Sequence, residues 1–295
     1  MGRDADEPCF LRSGDTGAVQ WRVRAADVKY ALNRGIVDAV LTAVLARVGR
    51  VRVTLLYAAA LAVVAAVLLH LGPRVQSEVV RHVSTNLHNL GQGRIATLVA
   101  SAFVSVDGPI YIWLPGLVAM LALGELLWRS RRMAVAFVIG HVGATLIVAA
   151  GLAAALAAGL LSTSIAYAAD VGMSYGAVGV LGTFTAAIPP RWRAAWIGWW
   201  LAVAAGSAIL SGGYFTNAGH GIALILGMVL SRRFGQPERW TAMRWALLAV
   251  AAAFGYVVVG YNELSIPTTG AFGLMGALAG WAWTTAIGQR GLRRL

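Results

Sequence analysis

From Val53 onward the chain alternates long apolar runs with short polar turns. The runs lie near 53 to 71, 110 to 128, 133 to 158, 173 to 188, 194 to 211, 218 to 231, 241 to 260 and 269 to 287. Several approach the ~20 residues needed to cross ~30 Å of hydrocarbon. The pattern therefore predicts an all-α polytopic membrane protein with about eight transmembrane helices. The runs at 173 to 188 and 218 to 231 are short, so neighbouring helices must shield their ends. Ahead of them, Val28, Leu32, Ile36, Val40 and Val44 recur on a helical period. That spacing predicts an amphipathic helix lying on the membrane surface or against loops. A cleaved leader is not expected, because the first long apolar run starts far from Met1.

Composition sharpens the class. With 59% hydrophobic and 12% charged residues, a soluble domain is excluded. The formal net charge of +12 does not form one basic face, so nucleic acid is not an expected partner. Instead the arginines gather in turns at Arg47 to Arg50, Arg129 to Arg132, Arg191 to Arg193, Arg232 to Arg239 and Arg290 to Arg294. Eight spans put all of these on one side, which the positive-inside rule makes cytoplasmic, together with both termini of a cell-membrane protein. The loops at 159 to 170, 212 to 217 and 261 to 268 carry no lysine or arginine. The long first external loop, Gly72 to about Gly108, holds Arg74, Arg81 and Arg94 among two moderately apolar stretches, which predicts helices lying in the outer interface. Cys9 is the single cysteine, so no internal disulfide and no metal or other cofactor is expected.

Two short motifs carry the candidate chemistry. Gly172-Met173-Ser174-Tyr175-Gly176 opens the fourth run, and Asn217-Ala218-Gly219-His220 opens the sixth. Ser174 to Ile188 spans ~21 Å of helix and His220 to Arg232 ~18 Å, so parallel spans with level basic ends set serine and histidine at nearly equal depth. A serine hydroxyl needs a base to become a nucleophile, and imidazole is the base best suited near neutral pH. The competing reading of Gly172, Gly176, Gly179 and Gly182 is a small-residue stripe for close helix packing. A soluble Gly-x-Ser-x-Gly elbow fails on context, lacking the preceding strand. His141 is expected to make a structural hydrogen bond, Glu125 an ion pair with Arg129 one turn on, and Asp170 a cap on the fourth span.

Gly172-x-Ser174 with Gly179 and Gly182, then Asn217-x-x-His220 with Gly227, resembles the rhomboid intramembrane serine proteases over roughly residues 50 to 235. The resemblance implies a six-helix core at 51–235, preceded by a cytoplasmic region at 1–50 and followed at 236–295 by two extra transmembrane helices and a basic tail. It implies a Ser174/His220 dyad that cleaves membrane-anchored proteins near the outer face, with Asn217, Gly172 and Tyr175 in support. The partners would be the lipid bilayer and transmembrane substrates or clients. Gly93-Arg94 stands where the family's first loop commonly has Trp-Arg. The chain departs from the family at Tyr175, where a glycine usually follows the serine, at Val178 in place of an aromatic residue, and at Ala223 in place of a glycine. The second span also lacks the usual His and Asn that help stabilise an oxyanion. The alternative is a catalytically inactive rhomboid-like protein that binds or escorts other transmembrane proteins.

Overall fold

Helices account for every long element of the described residues, which in this computed structural model are 48–105, 110–212, 214–237, 239–260 and 266–292. The expected amphipathic helix of residues 25–47 lies outside them. In chain order the helices are α1 (Arg52–Leu71), α2 (Pro73–Val83), α3 (Leu87–Gly91), α4 (Thr97–Ala100), α5 (Ile110–Val138), α6 (Ala144–Ala157), α7 (Ser174–Thr183), α8 (Pro190–Leu210), α9 (Phe215–Ser231), α10 (Ala242–Gly260) and α11 (Ile266–Leu292). No strand occurs among the described residues.

Four helical stretches are long and apolar enough to cross a membrane: Gly49–Leu71, Ile110–Ala157, Pro190–Leu210 and Ala242–Gly260. The second holds 48 residues, or ~72 Å of straight helix against ~30 Å of hydrocarbon. It breaks at Arg129, whose φ of 66° and ψ of 163° are not helical. Met133 then folds back against Gly124, nine residues earlier, where a straight helix would hold them ~13 Å apart. The break makes two crossings of one stretch, as the separate apolar runs at 110 to 128 and 133 to 158 predict. Helices α7, α9 and α11 occupy the remaining expected runs. Outward side chains such as Leu56, Leu69, Ile112, Ile209 and Leu278 are exposed, as a lipid-facing surface requires.

At the centre stands α7, with every residue from Tyr175 to Thr183 buried. A side chain on Gly179 would strike the Gly140 Cα and the Ala136 carbonyl, and one on Gly227 would strike the Gly179 carbonyl and, at 3.0 Å, the Gly182 Cα. The glycine stripe thus packs α7 backbone to backbone between the π-helical turn Ile139–Gly143 and α9. On a third side Gly255 of α10 admits the side chain of Leu181. The last helix, α11, seats Gly276 and Gly280 on the α8 backbone at Gly198 and Ala194.

Glu125 corrects one expectation. It makes no ion pair with Arg129; its oxygens instead accept from Val53 N (3.1 Å), Thr54 N (2.9 Å), Thr54 Oγ1 (2.8 Å) and Ser130 Oγ (2.5 Å). Val53 and Thr54 are second and third in α1, which has no cap of its own and no acid in its first turn. A carboxylate at those orphan N–H groups completes the helix end and meets its dipole, a role that pairing with the exposed Arg129 would forgo.

Glu125→Ala is expected to cost ~3 kcal/mol or more of stability by orphaning the buried Thr54 N–H and hydroxyl and the part-buried Val53 N–H, read as a lowered Tm in detergent. Arg129→Gly is expected to be neutral or stabilising by about 1 kcal/mol, since it relieves a backbone region reserved for glycine. Equal penalties for both changes would restore the ion pair. Gly227→Ala should cost roughly 3 kcal/mol by overpacking. Gly151→Ala, which meets nothing within 4 Å, should gain about 0.5 kcal/mol.

Candidate active site

The candidate residues gather at the N-terminal ends of α7 and α9. Gly172 turns the chain into α7 with φ of 131°, a conformation that glycine accepts readily, and its N–H donates to the Ser101 carbonyl at 2.9 Å. The helical ladder opens with Ala177 N–H donating to the Met173 carbonyl (3.0 Å), which leaves the Ser174 N–H outside it. Ser174 is half-buried, while His220 and Tyr175 are buried. Because Gly182 and Gly227 fix the crossing of the two helices, the ends carrying Ser174 and His220 lie side by side.

Tyr175 and His220 are in direct contact, ring edge to face at 5.3 Å and 83°. The Tyr175 hydroxyl rests on Gly219, a place that any side chain there would fill. Neither ring nitrogen of His220 has a hydrogen-bond partner, and neither does the Tyr175 hydroxyl. Ser174 and Asn217 are therefore not hydrogen-bonded to the histidine, although Asn217 lies one turn before it on α9. Buried polar atoms are nearly always paired. Here three unpaired ones lie together between two helix ends. An aromatic ring packs on the histidine here, supplied by Tyr175, while Val178, where the family usually has an aromatic residue, is buried in α7.

Other polar residues tie the first loop over this end. His141 accepts the expected structural role, with Nε2 3.1 Å from Ser101 Oγ. Asp170 does not cap α7, whose flanking residue Met173 offers no side-chain cap. Its carbonyl accepts from Thr85 N–H (3.0 Å) and Oγ1 (3.0 Å), its Oδ2 accepts from Thr85 Oγ1 (3.2 Å), and its N–H donates to Ser84 Oγ (2.8 Å). Sequence reasoning missed this clamp, because its partners lie 85 and 86 residues apart. Burial raises the Asp170 carboxyl from 3.8 to about 6, opposed by the hydrogen bond from Thr85. Among the described residues no cluster of His, Cys, Asp and Glu is able to hold a metal ion.

A family model described as rhomboid-like protein matches residues 46–234. No curated protein and no solved structure matches the chain.

The raised carboxyl sets a pH dependence. A group that holds its proton more tightly when folded stabilises fully below its unfolded value, near 3.8, and that stabilisation is lost as pH rises through about 6. The difference is worth on the order of 3 kcal/mol. Asp170→Asn, neutral at all pH, should raise Tm relative to wild type at pH 7.5, and the gap should close by pH 4. Parallel profiles for the two proteins would show Asp170 to be unperturbed.

Proposed function

The chain belongs to the rhomboid-like family, and on that premise we propose that it is an intramembrane serine protease with Ser174 as nucleophile and His220 as general base. The observation that carries the reading is the set of unpaired polar atoms on His220 and Tyr175 beside Ser174 at the head of the central helix. His220 takes the Ser174 proton as Oγ attacks a peptide carbonyl. The C–N bond then breaks, the same proton passes to the leaving amine, and water, deprotonated by His220, hydrolyses the acyl-enzyme. The free N–H of Ser174 at the positive end of α7 serves the oxyanion in place of a second-span His or Asn. Catalytic hydrogen bonds commonly close only when substrate is present, so the open Ser174–His220 pair fits a resting site.

Depth supports a cleavage site near one membrane face. From their basic ends, α7 with its following turn rises ~20 Å and α8 ~30 Å, which sets Ser174 ~10 Å below the far end of its neighbour. The substrates are membrane-anchored proteins whose helices open near that level. With the arginine-rich turns cytoplasmic, the site faces outward in the cell membrane and both termini lie inside.

A second reading, a non-catalytic member that binds transmembrane clients, is favoured by one observation: the Tyr175 ring covers the histidine that the serine would need. Fluorophosphonate labelling of the detergent-purified protein separates the two. Proteolysis predicts labelling that falls to background in Ser174→Ala and His220→Ala while size-exclusion profile and Tm persist. Absence of labelling in folded wild type, under conditions that label an active rhomboid, would leave the client-binding reading.

A further inference from the structure

At the opposite, basic ends of α7, α8 and α9 lies a cavity of about 680 Å³ with a polar head and an apolar tail. Thr185 and Arg193 line the head, together with the exposed Arg232. Thr185 is only 4% exposed, and its Oγ1 has no hydrogen-bond partner. Nearby hydroxyls satisfy themselves locally: Thr183 donates to the Val180 carbonyl and Ser231 to the Met228 carbonyl, both at 2.6 Å. Thr185 does not, so a donor stays available in the cavity wall. The buried Nε of Arg193 is likewise unpaired. Its Nη2 is anchored on the Ala186 (3.3 Å) and Ile188 (3.2 Å) carbonyls, which holds the guanidinium in place before anything binds. No carboxylate is among the described lining residues.

The tail follows from helix periodicity. Arg193, Ile197 and Leu201 stand four apart on one face of α8, a track of ~12 Å leading away from the head. Val229 of α9 flanks it and is 54% exposed on the lipid-facing side. A phosphate fits the donors, and an acyl chain fits the track. Basic recesses between membrane helices recognise anionic headgroups in this way.

We propose that this cavity is a binding site for an anionic phospholipid, its phosphate held by Thr185, Arg193 and Arg232 and one acyl chain laid along Ile197 and Leu201. The site stands whether or not Ser174 is a nucleophile. Native mass spectrometry of the detergent-purified chain, titrated with phosphatidylglycerol or with phosphatidylcholine of the same acyl chains, tests it, with inorganic phosphate as a third arm scored by Tm. Phosphatidylglycerol should bind at least about fivefold tighter than phosphatidylcholine, and Arg232→Gln should remove about that factor. Thr185→Val should weaken the preference while Thr185→Ser keeps it, and Arg233→Gln, outside the cavity, should leave it intact. Equal binding of the two lipids, or a preference that survives both Arg232→Gln and Thr185→Val, would overturn the proposal. So would stabilisation by inorganic phosphate with no preference between lipids, which would assign the head to a soluble anion.

Discussion

Three backbones meet at Gly140, Gly179 and Gly227, and the rest of the molecule depends on that meeting. In a bilayer the hydrophobic effect does not drive helices together, because lipid tails are as apolar as leucine. Close backbone approach supplies dispersion contact instead, and glycine alone permits it. With Gly179 pressed on the π-helical turn and Gly227 pressed on Gly179, α7 is fixed in height and rotation from both sides. The positions of Ser174 and His220 at the ends of their helices follow from this register. Neither residue needs a bond of its own to be held there.

Polar contacts divide into two kinds around this centre. Glu125, His141 and Asp170 are buried and tie distant segments: Glu125 binds the start of α1, His141 binds Ser101, and Asp170 binds Ser84 and Thr85. Each replaces hydration that burial withholds. By contrast the polar atoms of Tyr175 and His220 at one end of α7, and Thr185 at the other, are left unpaired. Unpaired buried atoms also occur elsewhere in the core, on Thr145, Trp200 and Ser207; those of Tyr175 and His220 differ in lying together between two helix ends.

Much of this was legible from the chain. Apolar runs predicted α1 and α10 to within a residue, and the arginine turns separated spans that the helix Ile110–Val138 joins without interruption apart from Arg129. The glycine spacing announced close packing around α7, and the Ser and His motifs announced which helix ends to compare. What stayed hidden was pairing across long separations. Glu125 has an arginine four residues on, and local rules favour that pair. Beside nearby Ser130, its partners are Val53 and Thr54, 72 and 71 residues away, because the uncapped start of α1 exerts a stronger demand than an exposed cation. Asp170 was hidden for the same reason, and so was Tyr175, whose ring reaches the histidine only through the geometry of the crossing.

The surroundings of α7 also constrain how a transmembrane segment could approach Ser174 in the proteolytic reading. Val180 and Gly179 face α5 and the π-helical turn, Gly182 faces α9, and Leu181 is covered by Gly255 of α10. Helix α10 wedges between α5, through Phe254 on Gly116, and α8, through Gly255 on Trp200, so this flank of α7 is covered at Leu181. The free end of the helix is its head, where it stops short beneath the first loop. There the chain is held by the Asp170–Thr85 clamp and by the Gly172 bond to Ser101. In the proteolytic reading, a peptide reaching the serine would meet this loop. Those few hydrogen bonds, one of them on a buried carboxyl raised to about 6, hold the first loop over the head of α7.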